Sequence, residues 1–554
     1  MKRHARAGVR MLAIPALLAT LVYARFLDGY WLGDDFSNLH RLWNADRAGL
    51  LWQHAAEQFF SPIPSDGAFY RPVMIATLAL NEWLAGAAYA GWFAFNLALH
   101  VANVVLVGAN VAAMAAACGR DGRRAGTAAA LFFALSPALA EGVFWVSARA
   151  DALVTLLTLA GLYAWTRVST PPDHRAPNAT TPALARRAFA LPLALLAALG
   201  CKESAAVFPL QMLLVAIAWP ARLARAQIGA VAICFVLVGV FMAARASIFG
   251  DVWHVYRSDA APSVDRLRDA IASVAPWWQA LTAASPTMAK LHVGLAVATS
   301  VLLAVSMRGA RARLAGALLL AAAGLIAATL LNLGGLAATG EGGRLAYAPM
   351  AWLALALGVA GAAPVNGRDD AREPGRRARR VAIVAMIATA LTGAFVLERE
   401  LVVAERAAND TRSLAAAIDG WVKTHAGLTL LVIAEHVGPV VTTRNAQGGL
   451  VLPPVQATPL LHRVLPTLPP EIPLRHDQFA GGLASRLDAL RPSHVDARVL
   501  DALSARDAPR WPDYYACWSM NERKLLELPA PDPAVRAQWV RMLEEASSRC
   551  NVRR

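Results

Sequence analysis

Of 554 residues, 57% are hydrophobic and only 16% are charged, a balance that excludes an ordinary soluble enzyme. The net charge of +15 does not require nucleic acid. Arginine-rich loops facing an anionic leaflet explain it more simply.

Apolar runs long enough to cross a bilayer recur through the first ~400 residues. They fall at 9–27, 91–117, 125–145, 150–167, 188–201, 203–219, 226–246, 291–307, 314–336, 347–363 and 381–398. The run at 188–201 is short, as for a tilted or partly re-entrant segment. Lys2, Arg3, Arg6 and Arg10 place the N-terminus in the cytoplasm. Strict alternation then puts the loops with Arg120/Arg123/Arg124, Arg175/Arg186/Arg187, Arg222/Arg225 and Arg308/Arg311/Arg313, and the cluster from Arg368 to Arg380, on that same side. The regions 28–90, 247–290, 337–346 and everything after about 398 fall outside.

The first outer region opens with Asp34-Asp35, just past Tyr30-Trp31. Carboxylates at a membrane–water boundary are partly desolvated yet still exchange protons, which suits chemistry on a lipid-borne substrate. Phe69-Tyr70-Arg71-Pro72 follows. Asn96, His100 and Asn103 share one helix face at i, i+4, i+7. That face reads first as interhelical hydrogen-bond glue. The stretch 135–151 carries Ser136-Pro137, Glu141, Trp145, Ser147, Arg149 and Asp151. Glu141 is placed to pair with Arg149, or else to serve a substrate. Lys202-Glu203 sits between two short spans, as a mutually neutralising pair or as a phosphate contact. Arg344 and Tyr347 close the series after Glu341-Gly342-Gly343.

The remaining ~155 residues have soluble composition. A β-like run at 428–435 and helical stretches near 479–506 and 533–549 predict a small extracytoplasmic α/β domain. Cys517 and Cys550 share it, where a disulfide is chemically permitted. The expected fold is thus a mainly α, polytopic membrane helix bundle of about eleven transmembrane helices. Its membrane domain occupies 1–398, with a first outer loop at 28–90, and the soluble domain occupies 399–554. Alanine, arginine, glycine and proline abundance suggests a GC-rich bacterial genome, hence an inner-membrane protein with a periplasmic C-terminal domain.

In this order, the acid pair, Tyr-Arg-Pro, Asn…His, the Glu141–Asp151 stretch, Lys-Glu-Ser and Arg344…Tyr347 resemble the GT-C glycosyltransferases over roughly 25–350. The similarity is greatest to the TMTC-type and protein O-mannosyltransferase branch and its bacterial relatives. Two features depart from that pattern. Gly343 stands where relatives commonly have an acid, and no tetratricopeptide repeats follow the membrane part. The resemblance implies inverting transfer of a sugar from a polyprenyl-phosphate carrier to a hydroxyl of protein, lipid or glycan. It implies Asp34 as general base, with Asp35 orienting the acceptor, tuning Asp34 or sharing a divalent metal ion with it. Arg71, Arg149, Lys202 and Arg344 are then the donor-phosphate ligands, with His100, Glu141, Asp151, Glu203 and Tyr347 in support. A lipid-linked-sugar flippase and a non-catalytic scaffold are the competing readings. The lack of repeated halves between 1–200 and 200–398, and the clustering of polar groups at one face, favour an enzyme.

Overall fold

The computed structural model describes residues 2–32, 35–60, 70–86, 88–169, 181–249, 309–333, 343–364, 376–424, 430–433, 514–519 and 522–529, with isolated positions within 291–303 and 538–549. The chain is mainly helical and a multi-pass membrane protein. Among the described residues, seven helical stretches are long and apolar enough to cross a bilayer: Met11–Asp28, Tyr89–Ala117, Val146–Val168, Arg225–Ser247, Gly309–Ile326, Arg344–Gly361 and Arg376–Glu398. An eighth is broken, because Arg123–Ala134 and Pro137–Phe144 meet at 56°. Proline explains the break. Pro137 has no N–H to continue the helix, and Ser136 before it is extended with ψ 124°. Of the eleven expected spans, 188–201 and 203–219 form the shorter apolar helices Arg187–Leu199 and Glu203–Ala218. The run at 291–307 lies largely outside the described residues.

The helices used below are α1 (Lys2–Tyr23), α2 (Asp35–Arg47), α3 (Leu51–Glu57), α4 (Pro72–Ala85), α5 (Tyr89–Ala117), α6 (Arg123–Ala134), α7 (Ala140–Phe144), α8 (Arg149–Ser169), α9 (Thr181–Leu199), α10 (Phe208–Ala218), α11 (Arg225–Phe249), α12 (Gly309–Leu333), α13 (Tyr347–Gly361) and α14 (Arg376–Thr424). The hub is α5, which packs against α1, α6, α8 and α13. Its 29 residues make it about 44 Å long. Three asparagines spaced by seven fix its neighbour. Asn96, Asn103 and Asn110 each donate a side-chain N–H at 3.0 Å to the carbonyls of Trp145, Ala152 and Leu159 respectively. The offset is 49 each time, so α5 and α8 run parallel. Seven residues are nearly two turns, which keeps each row on one face. The face read as interhelical glue is therefore glue.

Among the described residues, the basic stretches around Arg120 and Arg311 and the start of α14 meet at one end of the bundle. Arg120–Asp121 (β1) pairs antiparallel with Ala363–Pro364 (β2). Arg311 donates to the carbonyl of Ala362 at 2.9 Å, and a Cβ added at Gly361 would meet Ile383 of α14 at 3.4 Å. Trp165, near the end of α8, donates to the carbonyl of Gln227 in α11. The acids and the remaining cations of interest lie at the other end. There Phe26 stacks on Phe144 at 5.5 Å and contacts Phe93 at 5.8 Å.

α14 runs 49 residues without a break, so the last span and the stem of the C-terminal region are one helix of about 74 Å. The expected boundary at 398/399 falls inside it. The described remainder includes a three-stranded sheet of β3 (Leu430–Ile433), β4 (Tyr514–Ser519) and β5 (Lys524–Leu528). β3 and β4 are parallel, and β4 and β5 antiparallel. β3 is the run expected at 428–435. The stretch 479–506 and Cys550 lie outside the described residues.

The asparagine ladder yields a simple expectation. Asn110→Ala, well away from the acid pair, should lower stability in detergent by about 0.6–1.7 kcal/mol, the range for interhelical polar contacts in membranes. An unchanged thermal melting curve would show that the ladder carries no net energy.

Candidate functional site

The first loop is held by an acid rather than merely ending in one. Asp35 opens α2, where a negative charge suits the helix N-terminus. It is buried. Its N–H bonds the carbonyl of Leu32 at 3.0 Å, and its Oδ2 accepts the N–H of Leu32 at 3.1 Å. Its Oδ1 accepts both the N–H and the Oγ–H of Ser147, at 2.7 and 2.6 Å. Asn38 donates to the same Ser147 Oγ, and Trp145 Nε1 donates to the carbonyl of Leu32 at 2.9 Å. Asp34, read as the base, lies outside the described residues, between Leu32 and Asp35, which are both fixed this way.

Three ion pairs form nearby, each joining segments far apart in the chain. Arg71, just before α4, binds Glu203 through Nη2 at 2.9 Å and Nε at 3.3 Å. Lys202 Nζ contacts both oxygens of Asp151 at 2.7 Å. Arg344 Nη1 binds Glu141 Oε1 at 2.7 Å, and its backbone N–H binds Oε2 at 2.8 Å. The pairs are brought together by backbone. Val73 N–H at the start of α4 bonds the carbonyl of Gly200 at 2.8 Å, setting Arg71 beside the break between α9 and α10. Burial pulls the pKa of Lys202 down and Asp151 opposes this. The positive charges of Arg71 and Arg344 lower it further, so both lie within electrostatic reach of Lys202. Arg344 also lies over the Trp145 ring, 4.5 Å from its centroid. Trp145 thus touches the cation group with its ring and the acid-bearing loop with its N–H.

The pairing differs from what sequence adjacency suggests. Lys202 and Glu203 do not neutralise each other, because Lys202 is extended (φ −164°, ψ 142°) and sends neighbouring side chains to different partners. Glu141 pairs with Arg344, not with Arg149. Arg149 is fully buried, donating to Asn96 Oδ1 at 3.1 Å and to the carbonyls of Thr77 and Trp92 at 3.2 and 3.4 Å. Its guanidinium also faces the Phe95 ring at 4.8 Å. Enclosed in this way, Arg149 offers no exposed edge to a phosphate and acts as framework. Tyr347 and His100 are likewise interior: His100 Nδ1 and Tyr347 Oη are 2.8 Å apart, and Asn103 donates to the same hydroxyl at 3.3 Å. Gly142 makes room for that tyrosine, since a Cβ there would meet its ring at 2.7 Å.

Ser147 is the partner that sequence reasoning passed over. It stood inside the recognised stretch, but only the fold reveals that it faces Asp35. The fit of a metal ion to the acid pair is poor on the Asp35 side. Its Oδ1 already accepts two hydrogen bonds and its Oδ2 one. Among the described residues no group of three or more histidines, cysteines and acids is arranged to hold a metal.

No family model matches the sequence, and no curated protein matches it. Among solved structures the chain is similar to ArnT from Cupriavidus metallidurans bound to undecaprenyl phosphate, with 15% identity and a TM-score of 0.43 over 78% of this chain and 84% of that one. The apo form of that protein gives 14% identity and 0.43 over 79% and 85%. The arabinofuranosyltransferase AftD from Mycobacteria gives 18% and 0.41 over 77% of this chain and 29% of its own. Likeness this remote carries no argument about chemistry.

The ion pairs make an asymmetric prediction. Asp151→Asn leaves a buried ammonium without its counter-charge and should cost about 3–5 kcal/mol of stability. The double change Lys202→Met with Asp151→Leu should recover most of that loss. Thermal melting of both proteins in detergent checks it.

Proposed function

We propose that this chain is a membrane glycosyltransferase of the GT-C type. It moves a sugar from a polyprenyl-phosphate donor to an acceptor hydroxyl, with inversion at the anomeric carbon. The observation that supports this best is that Arg71 and Arg344 both act on Lys202, while Arg344 lies on the ring of Trp145, which itself holds Leu32 just before the acid pair. A cationic group for a leaving phosphate and an acid for an incoming hydroxyl are what the reaction needs, one on each side of the transferred sugar.

In the step we envisage, the acceptor oxygen attacks the anomeric carbon while Asp34 takes its proton. The bond from that carbon to the phosphate oxygen breaks, and the polyprenyl phosphate leaves with the electron pair. Arg344 and Lys202 hold the developing charge, with Arg71 supporting them, a role in which preorganised donors contribute about 2.7–4 kcal/mol. Glu141, Asp151 and Glu203 keep these cations in place, and Asp35 positions its neighbour rather than reacting. No step is assigned to a metal ion. The basic stretches at the opposite end support a site on the extracytoplasmic face. In a bacterial inner membrane that face, with the C-terminal region, is periplasmic. The acceptor is a hydroxyl of protein, lipid or glycan.

Two sets of substitutions test the reading in proteoliposomes supplied with polyprenyl-phosphate sugars. Asp34→Asn is nearly isosteric and should insert normally, yet lower transfer by at least about a hundredfold, the lower end for a general base. Turnover close to wild type would take the base away from Asp34.

Arg344→Gln and Lys202→Gln should each weaken use of the donor. Combined, their effects should be less than additive, because the two residues share one partner. Arg344→Lys should recover only part, since a point charge does not reproduce the guanidinium fork. Full donor affinity in a merely destabilised Arg344→Gln protein would assign this arginine to structure alone.

A further inference from the structure

α14 carries a second pattern past the membrane. Leu397, Leu401, Ala404, Ala408 and Thr411 alternate by four and three and are all buried, the seam of a heptad repeat. Beside the seam stand Glu398, Glu405 and Arg412, again seven apart; the two acids meet the outer end of the first span and Arg412 meets the start of the first loop. Arg25 binds Glu398 at 2.6 Å and Glu405 at 3.5 Å. Arg412 Nη2 donates to the carbonyls of Asp28 at 2.6 Å and Gly29 at 2.7 Å, and its guanidinium faces the Tyr30 ring at 5.6 Å. The loop is thus held from two sides: Tyr89 and Trp92 contact Trp31 from within at 5.0 and 5.4 Å, and Arg412 grips the backbone from without.

We propose that Arg412 is a positioning residue, through which the stem of the C-terminal region sets the loop that carries the acid pair. The inference rests on the glycosyltransferase reading for its consequence, though not for its geometry. Arg412 forks onto two successive carbonyls, six and five residues before Asp34. Carbonyls have no side chain to vary, so the contact fixes backbone position rather than side-chain identity. Its own side chain is 41% exposed and its approach to the Asp28 carboxylate is only 3.5 Å. A surface contact of this kind adds little to global stability, so its main effect is on where the loop sits. The region that α14 supports is thereby joined to the start of that loop by one continuous helix.

The test uses the full-length protein with Arg412→Ala and Arg412→Lys. Displacing a reacting group by about 1 Å can cost on the order of 10²-fold in rate. Arg412→Ala should therefore lower kcat by about ten- to a hundredfold. Its donor KM should stay within about twofold, because the phosphate contacts lie elsewhere. Arg412→Lys should recover part of the rate, since an ammonium can donate to both carbonyls but lacks the planar face that lies on Tyr30. Hydrogen exchange by mass spectrometry gives a readout free of activity. The amides of Gly29, Leu32 and Asp35, all bonded within the loop, should exchange faster in Arg412→Ala, with α14 itself still protected. Unchanged exchange, or faster exchange with an unaltered kcat, overturns the proposal. If the wild-type protein transfers no sugar, the glycosyltransferase reading fails, and the exchange result alone decides whether Arg412 holds the loop.

Discussion

The bond from Ser147 to Asp35 joins two segments 112 positions apart, and the geometry of the site is referred to that joint. It places Trp145 against Leu32, and Trp145 in turn carries Arg344 on its ring. Arg344 is locked to Glu141 on the short helix that Pro137 creates by breaking the span. Without the joint, the acid loop and the cation group would be separate surface features. With it, they share a wall. A buried carboxylate is tolerated here because it accepts hydrogen bonds from two backbone N–H groups and a hydroxyl.

Burial explains the cross-pairing as well. An unpaired charge in the bundle costs several kcal/mol, so each cation is held by an acid from another segment. Local pairs would have neutralised the charges equally well while leaving the segments independent. Pairing Arg71 with Glu203 and Lys202 with Asp151 ties α4, the α9–α10 break and α8 together, and pairing Glu141 with Arg344 ties α7 to the start of α13. Arg149 meets the same constraint with neutral acceptors and an aromatic face, and so becomes part of the framework.

Much of this was legible in the sequence, and what was not has physical reasons. Apolar length and proline placement reveal spans and their breaks, because they act within one segment. The polar face of α5 was readable for the same reason, and its seven-residue spacing indicates a partner helix. Pairing was not readable, since adjacency invited Lys202 with Glu203 and Glu141 with Arg149, whereas the extended backbone at Lys202 and the bend at Pro137 redirect those side chains. The stem of α14 was hidden by its composition. Residues 399–424 have soluble character, yet Leu401, Ala404, Ala408 and Thr411 keep a heptad seam that continues the membrane helix. Asp34 lies outside the described residues, and its role as base belongs to the proposal.

On the proposed chemistry, negative charge moves across the site during transfer. The acid loop gains a proton from the acceptor and loses a charge, while the leaving phosphate gains one on breaking its bond to the sugar. A site whose fixed charges were unpaired would favour one end of that movement before the donor arrived. Three cations balanced by three carboxylates avoid this, leaving the resting cluster near neutral while keeping its donors charged and in place. The carboxylates also carry part of the orientation that a mobile solvent would otherwise have to supply, so little reorganisation is left for the moment of reaction. Lys202 is the sensitive member, because burial and its two cationic neighbours already favour loss of its proton. Asp151 opposes that loss, which makes the acid that neutralises this lysine also the one that keeps it able to stabilise a phosphate.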